Sequence, residues 1–298
     1  MKDIVVGMDL SEDAGTALRW AVDEARLHGA GVRAVFAWSA DRCPKEVREH
    51  AASSRAEHIE AAAEELLHAG IERVLDATER KIVTESVVTA DPVDALLDAV
   101  PAAGMLVVGA RGAGRLRRAV IGSVSDACLH LAPGTVVVVR RARSKPAGES
   151  GVTGRDARPV LVGVDGSENS IKALRWAAQE AALRGVTLRV RHAWMPMPMI
   201  YAGYITAVEG SAMEEAAQAV LDETLKTLPD LEDLTLDAGI MICSPGTGLI
   251  HDAADAQLLV VGARGHEGFA ELLLGSTGHR CAHHAPCPVA VIHGDTTA

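Results

Sequence analysis

The chain is one unit written twice, and this duplication limits its fold more than any other feature. VVGMDLSEDAGTALRWAVDEA near the start is answered by VLVGVDGSENSIKALRWAAQEA after Pro159, with ALRWA identical at Ala17–Ala21 and Ala173–Ala177. Asp9 and Asp165 stand 156 residues apart (165 − 9), as do Trp20 and Trp176, and Trp38 and Trp194. Gly109 and Gly262 stand 153 apart (262 − 109), as do Gly122 and Gly275, so the second copy is shorter somewhere between those marks. A period of a whole domain means tandem duplication rather than a solenoid. Between the copies, RARSKPAGESGVTGRDARP (Arg141–Pro159) has Gly, Pro and Ser without apolar periodicity and reads as a flexible linker. The expected division is a first domain over 1–141, a linker over 142–157 and a second domain over 158–298.

Within each copy the period of the apolar residues alternates. Ile4–Met8 reads as a buried strand, and Ala14–His28 carries Ala17, Leu18, Ala21 and Ala25 at helical spacing. Val32–Trp38 reads as strand, Glu46–Ala69 as one long helix, and Ile82–Val88 as strand. Asp91-Pro92 opens a helix running to about Ala102. Met105–Val108 is strand, Ser123–Leu131 helix and Thr135–Arg140 the last strand. Near-continuous Val, Ile and Leu in strands that alternate with helices predict a parallel sheet covered on both faces. Each copy is therefore expected to be an α/β, doubly wound, five-stranded domain.

Charge and cysteine usage narrow the function. A formal net charge of −11 reads against nonspecific nucleic-acid or anionic-membrane binding, because a polyanion needs basic surface. No apolar run approaches bilayer-spanning length, and Lys2-Asp3 leading straight into Ile4–Val6 reads against a signal peptide. The five cysteines, Cys43, Cys128, Cys243, Cys281 and Cys287, are odd in number and share no spacing between copies, which points to a reducing cytoplasm rather than a disulfide framework.

The chemistry concentrates where each fourth strand ends. VVGARGAGRLRRAVIGSVS (Val107–Ser125) and VVGARGHEGFAELLLGSTG (Val260–Gly278) share the spacing G-x2-G-x9-G-S while little else between the glycines survives. In a doubly wound sheet a ligand sits beyond the carboxyl ends of the strands, where the strand order reverses. Gly109 and Gly112 allow a sharp turn and close backbone approach. Gly122 and Ser123 start a helix whose unpaired N–H groups and positive dipole end favour an anion, with Ser123 and Ser125 as hydroxyl donors. The pattern describes a phosphate cradle, and Gly262, Gly265, Gly275 and Ser276 repeat it. The alternative is that these glycines only punctuate a strand–helix connection. No G-x-x-x-x-G-K-[ST] is present, and the first strand–helix turn lacks the dinucleotide glycines.

Asp9 and Asp165 end the first strand of each copy at the same edge. A carboxylate there can accept hydrogen bonds from a ribose hydroxyl or an adenine amine; the alternative is helix capping, which Ser11 and Ser167 can also supply. Phe36-Ala37-Trp38 and His192-Ala193-Trp194 end the second strands beside them, offering backbone groups to an adenine edge. For Trp38 and Trp194 themselves, packing is the expected use. Arg111 and Arg264 sit inside both loops as phosphate partners or surface ion pairs.

Other clusters carry less. CAHHAPC, with Cys281, His283, His284 and Cys287, has metal-binding residue types, but copy one reads CLHLAPG and no metal is expected there. Arg115–Arg118 is opposed in copy two by Phe269–Leu272, so it reads as a solvated patch of one copy. MPMPMIYAGYITA (Met195–Ala207) shows neither period and reads as a loop near the second adenine pocket. No general base recurs near the loops, and the histidines fail to align between copies except His130 with His283, so no catalytic residue is expected.

Together, the paired G-x2-G-x9-G-S loops, Asp9 in VVGMDLSE, Asp165 in LVGVDGSENS and HHAPCPVAVI near the end resemble the universal stress protein family in its tandem form. The resemblance covers nearly the whole chain outside the linker. It implies an adenine nucleotide α-hydrolase-like fold with strand order 3-2-1-4-5 and ATP with Mg2+ between strands one and four. By the resemblance Gly109, Arg111, Gly112, Gly122, Ser123, Val124 and Ser125 hold phosphates, Asp9 holds the nucleoside, and Ala37 offers backbone contacts to adenine. Asp165, Ala193, Gly262, Arg264, Gly265, Gly275, Ser276 and Thr277 form the second site, where Gly278 stands in place of Ser125. The expectation is an ATP-binding regulatory sensor of the stress response, a homodimer or pseudo-dimer through its last strands, with an unidentified regulatory protein partner. A slow ATP hydrolase or nucleotidyl-transferring enzyme and an ATP-free scaffold are the alternatives.

Overall fold

In the computed structural model of the chain, the residues described are 3–39, 43–53, 59–101, 104–112, 121–141, 156–195, 199–201, 204–206, 210–228, 234–265 and 274–294. The chain divides into two compact units, Met1–Arg143 and Ser144–Gly294. The first contains β1 (Ile4–Met8), α1 (Glu12–His28), β2 (Val32–Trp38), α2 (Lys45–Ser53), α3 (Ile59–Glu72), β3 (Val83–Thr89), α4 (Pro92–Ala99), β4 (Met105–Gly109), α5 (Ser123–Leu131) and β5 (Thr135–Val139). The second contains β6 (Val160–Val164), α6 (Glu168–Arg184), β7 (Leu188–Trp194), β8 (Met199–Tyr201), β9 (Tyr204–Thr206), α7 (Gly210–Leu225), β10 (Leu236–Ile242), α8 (Pro245–Asp252), β11 (Leu258–Gly262), α9 (Ser276–His284) and β12 (Val289–Ile292).

Strand order in the first unit is β3-β2-β1-β4-β5, every pair parallel. In the second it is β10-β7-β6-β11-β12, again all parallel. Each is the 3-2-1-4-5 order of a doubly wound sheet, with its reversal between the first and fourth strands. Every residue of β4 and β5 is buried, as a strand covered on both faces requires.

The first helix of each unit is set by local signals. Ser11 caps α1 by accepting from the Ala14 N–H, and Ser167 caps α6 by accepting from the Ser170 N–H. Gly29 (φ 62°) and Gly185 (φ 65°) end the same helices in the left-handed conformation. Ala17, Leu18, Ala21, Val22 and Ala25 form the buried stripe of α1, and its small side chains let the helix lie close on the sheet.

One reading is described only in part and another changes. The helix expected over Glu46–Ala69 appears as α2 and α3, with residues 54–58 outside the described set. The loop expected over Met195–Ala207 contains the antiparallel pair β8 and β9, in register Met199↔Thr206 and Tyr201↔Tyr204. Ile and Tyr favour strand, and two residues between them suffice for a hairpin, a signal masked by the Met-Pro repeats. The basic run Arg115–Arg118, its counterpart Phe269–Leu272 and residues 142–155 of the linker expected over 142–157 lie outside the described residues.

Candidate functional site

The carboxyl edge of β1 and β4 builds the site in the first unit. Met8 pairs with Phe36 and Val6 with Val107, so Asp9, one residue beyond β1, comes level with Ala37 near the end of β2. Asp9 Oδ1 accepts the Ser11 N–H at 3.0 Å. Its other oxygen faces the glycine loop: a Cβ built on Gly112 would fall 2.5 Å from Asp9 Oδ2. A side chain there would have to displace the carboxylate, so glycine is what lets backbone and carboxylate stand this close. In the second unit Ser167 N–H donates to Asp165 Oδ1 at 3.0 Å, and a Cβ on Gly265 would strike Asp165 Oδ2. The two carboxylates and the two glycines are brought together in the same way, once per unit.

Behind them stand the starts of α5 and α9. Gly122 is the N-cap of α5 and Gly275 that of α9. The first bonds closing these helices are Asp126 N–H to Gly122 O (2.9 Å) and His279 N–H to Gly275 O (3.0 Å). The N–H groups of Ser123, Val124 and Ser125, and of Ser276, Thr277 and Gly278, thus precede the first helical bond and sit at the positive end of the dipole. Ser123 and Ser276 are exposed, Val124 and Thr277 half-buried.

Three residues of the cradle also serve the fold itself. Gly109 and Gly262 serve the packing of the first helix: a Cβ on Gly109 would lie 2.7 Å from the Asp13 carbonyl carbon, and one on Gly262 2.9 Å from that of Asn169. The N–H groups of Gly122 and Gly275 close the turn onto Ala110 O (2.8 Å) and Ala263 O (2.6 Å) and are not available to an anion. Ser125 is buried, and its hydroxyl donates to Gly109 O at 2.7 Å, tying helix to strand end instead of facing outward. A Cβ built on Gly278 would lie 3.4 Å from Gly262 O, and without a hydroxyl there the second unit lacks this tie.

The capping alternative is met by division of labour. Ser11 Oγ accepts from Ala14 N–H (3.1 Å) and donates to Arg111 O (3.2 Å), linking the two turns, while Asp9 braces Ser11 from behind. Arg111 and Arg264 are exposed at the loops. Ala37 and Ala193 are half-buried in strands paired with Val88 and Met241.

Sequence reasoning missed several neighbours of the site. Arg140 follows β5, and its guanidinium is pushed below the usual arginine range by burial and by nearby Arg111, with Asp13 opposing. Its counterpart is His293, which is buried; the sequence signal was only their equal distance from the glycine loops. Leu10 has φ 67°, the left-handed region, where the second unit places Gly166 (φ 83°). The Trp38 and Trp194 indole N–H groups are buried without an acceptor among the described residues, a costly state for a donor. A cavity of about 440 Å³ opens beside the β1–α1 turn, lined by Met8, Leu10, Ser11, Gly15, Arg73 and Arg141. All five cysteines are free, and burial pushes the thiols of Cys128, Cys281 and Cys287 up to about 12. No helix among the described residues is long and apolar enough to cross a membrane.

Comparison with known proteins agrees with this architecture. The model of the universal stress protein family matches residues 1–140 and again 157–293. A universal stress protein of Mycolicibacterium smegmatis is 34% identical over 297 residues, covering 97% of this chain and 96% of that protein. One from Mycobacterium tuberculosis is 30% identical over 306 residues, covering 99% and 97%. A crystal structure of a universal stress protein from Archaeoglobus fulgidus superposes with a TM-score of 0.63 over 98% of both chains at 20% identity, a likeness of fold. Two family matches, one per unit, together with full-length relatives at this identity mean that the chain belongs to the universal stress protein family.

Proposed function

We propose that each unit binds an adenine nucleotide, ATP with Mg2+, at the crevice between its first and fourth strands, and that occupancy regulates contacts with a protein partner. The observation carrying this reading is the repeated apposition of Asp9 with Gly112 and of Asp165 with Gly265, each before a helix start with unpaired N–H groups. Carboxylate and amide cradle supply the two opposite ends that a nucleotide needs, an acceptor for ribose or amine and donors for a phosphate tail. Mg2+ would ride on phosphate oxygens and water rather than on a cage of protein ligands. Arg111 and Arg140 give the first unit two guanidinium groups near the loop, against Arg264 and His293 in the second. The first site is therefore the tighter one for an anion.

Acting as a sensor rather than an enzyme follows from the absence of a repeated general base near the loops in the sequence. A homodimer meeting through a last strand belongs to the same proposal and is checked by sedimentation velocity. Calorimetry with ATP and Mg2+ tests the nucleotide site. The parent is expected to bind, with Gly112→Ala and Asp9→Asn each weakening the tighter event by about tenfold or more, the loss of roughly one charge-assisted hydrogen bond. Asn at position 9 still accepts the Ser11 N–H, so the fold is kept. Equal binding by the parent and both variants would remove the site, and sustained turnover near one per second or faster would move the protein to the enzymes.

A further inference from the structure

The cavity of about 440 Å³ beside the β1–α1 turn is not used by the nucleotide reading: among the described residues that line it are neither Asp9 nor Gly112 nor any residue of α5. Its volume is that of a small-ligand pocket. Two glycines border it, Gly15 in α1 and Gly70 in α3. Among the described residues, a Cβ built on Gly15 would meet only Val74 Cγ2, at 3.1 Å, and one on Gly70 only Leu10 Cδ2 at 3.4 Å and Arg73 Nη2 at 3.7 Å. Glycine is a poor helix former, and here it leaves both helices open towards the cavity. The second unit has Ile171 and Lys172 at the positions of Gly15 and Thr16 (171 − 15 and 172 − 16), and its Lys172 Nζ reaches the Gly294 carbonyl. Leu10, on the same wall, keeps a left-handed backbone (φ 67°) where the second unit has Gly166. Glycine would relieve that strain, and strained residues gather where a side chain is held for a ligand.

The wall is apolar and the rim cationic. Met8, Leu10 and Val74 supply hydrocarbon, while Arg19, Arg73 and Arg141 stand against the single carboxylate of Glu12. Arg19 is engaged with Glu79 and Arg141 with Glu12. Arg73 is exposed and makes no ion pair among the described residues, and its Nη2 lies by Gly70, beside the Leu10 methyl. One guanidinium without a carboxylate partner, set against hydrocarbon, complements a ligand with an apolar body and one negative charge. Guanidinium grips a carboxylate through two parallel N–H donors. We propose that this cavity binds an apolar monocarboxylate, its chain against Met8, Leu10 and Val74 and its carboxylate on Arg73. The site belongs to the first unit, because Ile171 and Lys172 stand where the opening would be in the second and Gly166 lacks the wall.

The test titrates the full-length chain, free of nucleotide, with octanoate and follows the backbone amides by NMR. The parent is expected to show saturable shifts centred on Leu10, Gly15 and Gly70, half-complete at about 1 mM or below. Octanol, the uncharged counterpart, should bind about threefold or more weakly. Leu10→Gly and Gly15→Ile, each copying the second unit, should weaken octanoate by about fivefold or more, and Arg73→Gln by about threefold. Gly166 shows that the turn closes with glycine, so Leu10→Gly keeps the test open if Ile crowds Val74 and unfolds the other variant. ATP with Mg2+ should leave octanoate binding unchanged, and octanoate binding by a chain that fails to bind ATP would support this site independently of the nucleotide reading. The proposal is overturned by a parent without saturable shifts, by binding that is unaltered in Leu10→Gly and Arg73→Gln, or by displacement of octanoate with ATP.

Discussion

The two units close the same crevice with different residues. In the first, Ser11 reaches across to the Arg111 carbonyl and Ser125 ties α5 to the end of β4. In the second, Gly278 offers no hydroxyl, and Ser170, where the first unit has Ala14, turns its hydroxyl onto Ser167 O (2.9 Å) and receives the Asp165 N–H (3.3 Å). The first unit uses Leu10 at a left-handed position that costs an L-residue about 1–2 kcal/mol; the second uses glycine there. Beside α1, Glu79 accepts from Arg19 (2.5 Å), Arg26 (3.3 Å) and Asp76 N–H (2.9 Å). The counterpart of Arg19, Arg175, instead donates to the Thr227 carbonyl at 3.1 Å. What both units keep is a carboxylate against a glycine, a glycine against the first helix and a glycine-capped last helix. The scaffold of the crevice is held constant while its braces and charges diverge.

The largest expected effect tests that shared scaffold. Gly109→Ala and Gly262→Ala both force a Cβ into helix backbone and should each destabilise their own unit by about 1–3 kcal/mol, read as a lowered unfolding midpoint. If Gly109→Ala melts like the parent and only nucleotide affinity changes, the close approach to α1 is not what keeps glycine there. A smaller effect probes the difference at Ser125. Ser125→Gly, which copies the second unit, should cost about 1 kcal/mol through the lost bond to Gly109 O and leave nucleotide affinity nearly unchanged. A variant that keeps its stability but loses affinity would return the Ser125 hydroxyl to the phosphates.

The smallest effect concerns acid. Hydrogen bonds from Asp76 N–H and Arg19 hold the Glu79 carboxyl below the usual carboxylate range. A carboxyl depressed in the folded state stabilises the fold above its unfolded value, and that contribution is lost as pH falls through the folded value. Glu79→Gln should therefore lower stability by under about 1 kcal/mol at neutral pH, since its arginines are partly exposed and solvent screens them. Parent and variant should converge in acid. Denaturant titrations at neutral and acidic pH check this, and a gap that widens in acid would contradict it. Because Arg175 bonds a carbonyl, Arg175→Gln should show no such convergence.

Much of the fold was legible because it depends on local and repeated signals. Ile4–Met8, Val32–Trp38 and Ser123–Leu131 are the elements their periodicity predicts, and Ser11 and Ser167 cap the helices they precede. Gly112 and Gly265 were visible as repeated glycines, but their reason for being glycine was not. Periodicity says nothing of what lies across a crevice, so the carboxylate of Asp9 against Gly112 could not be read from either residue alone. The packing of Gly109 was hidden for the same reason, because its neighbour is helix backbone about a hundred residues earlier. Arg140 and His293 escaped notice because unlike residues in equal positions leave no motif.

The sequence by itself determined the doubling of the unit, the alternation of strand and helix, the family and the addresses of the repeated glycines and carboxylates. These rest on composition and spacing along the chain. Only the tertiary structure decided which glycine meets a carboxylate and which meets a helix, which hydroxyl is spent on the fold, and that Leu10, Gly15 and Gly70 border one cavity. Those facts depend on distances between atoms remote in sequence, which are set when packing brings separate elements within a few ångströms of each other.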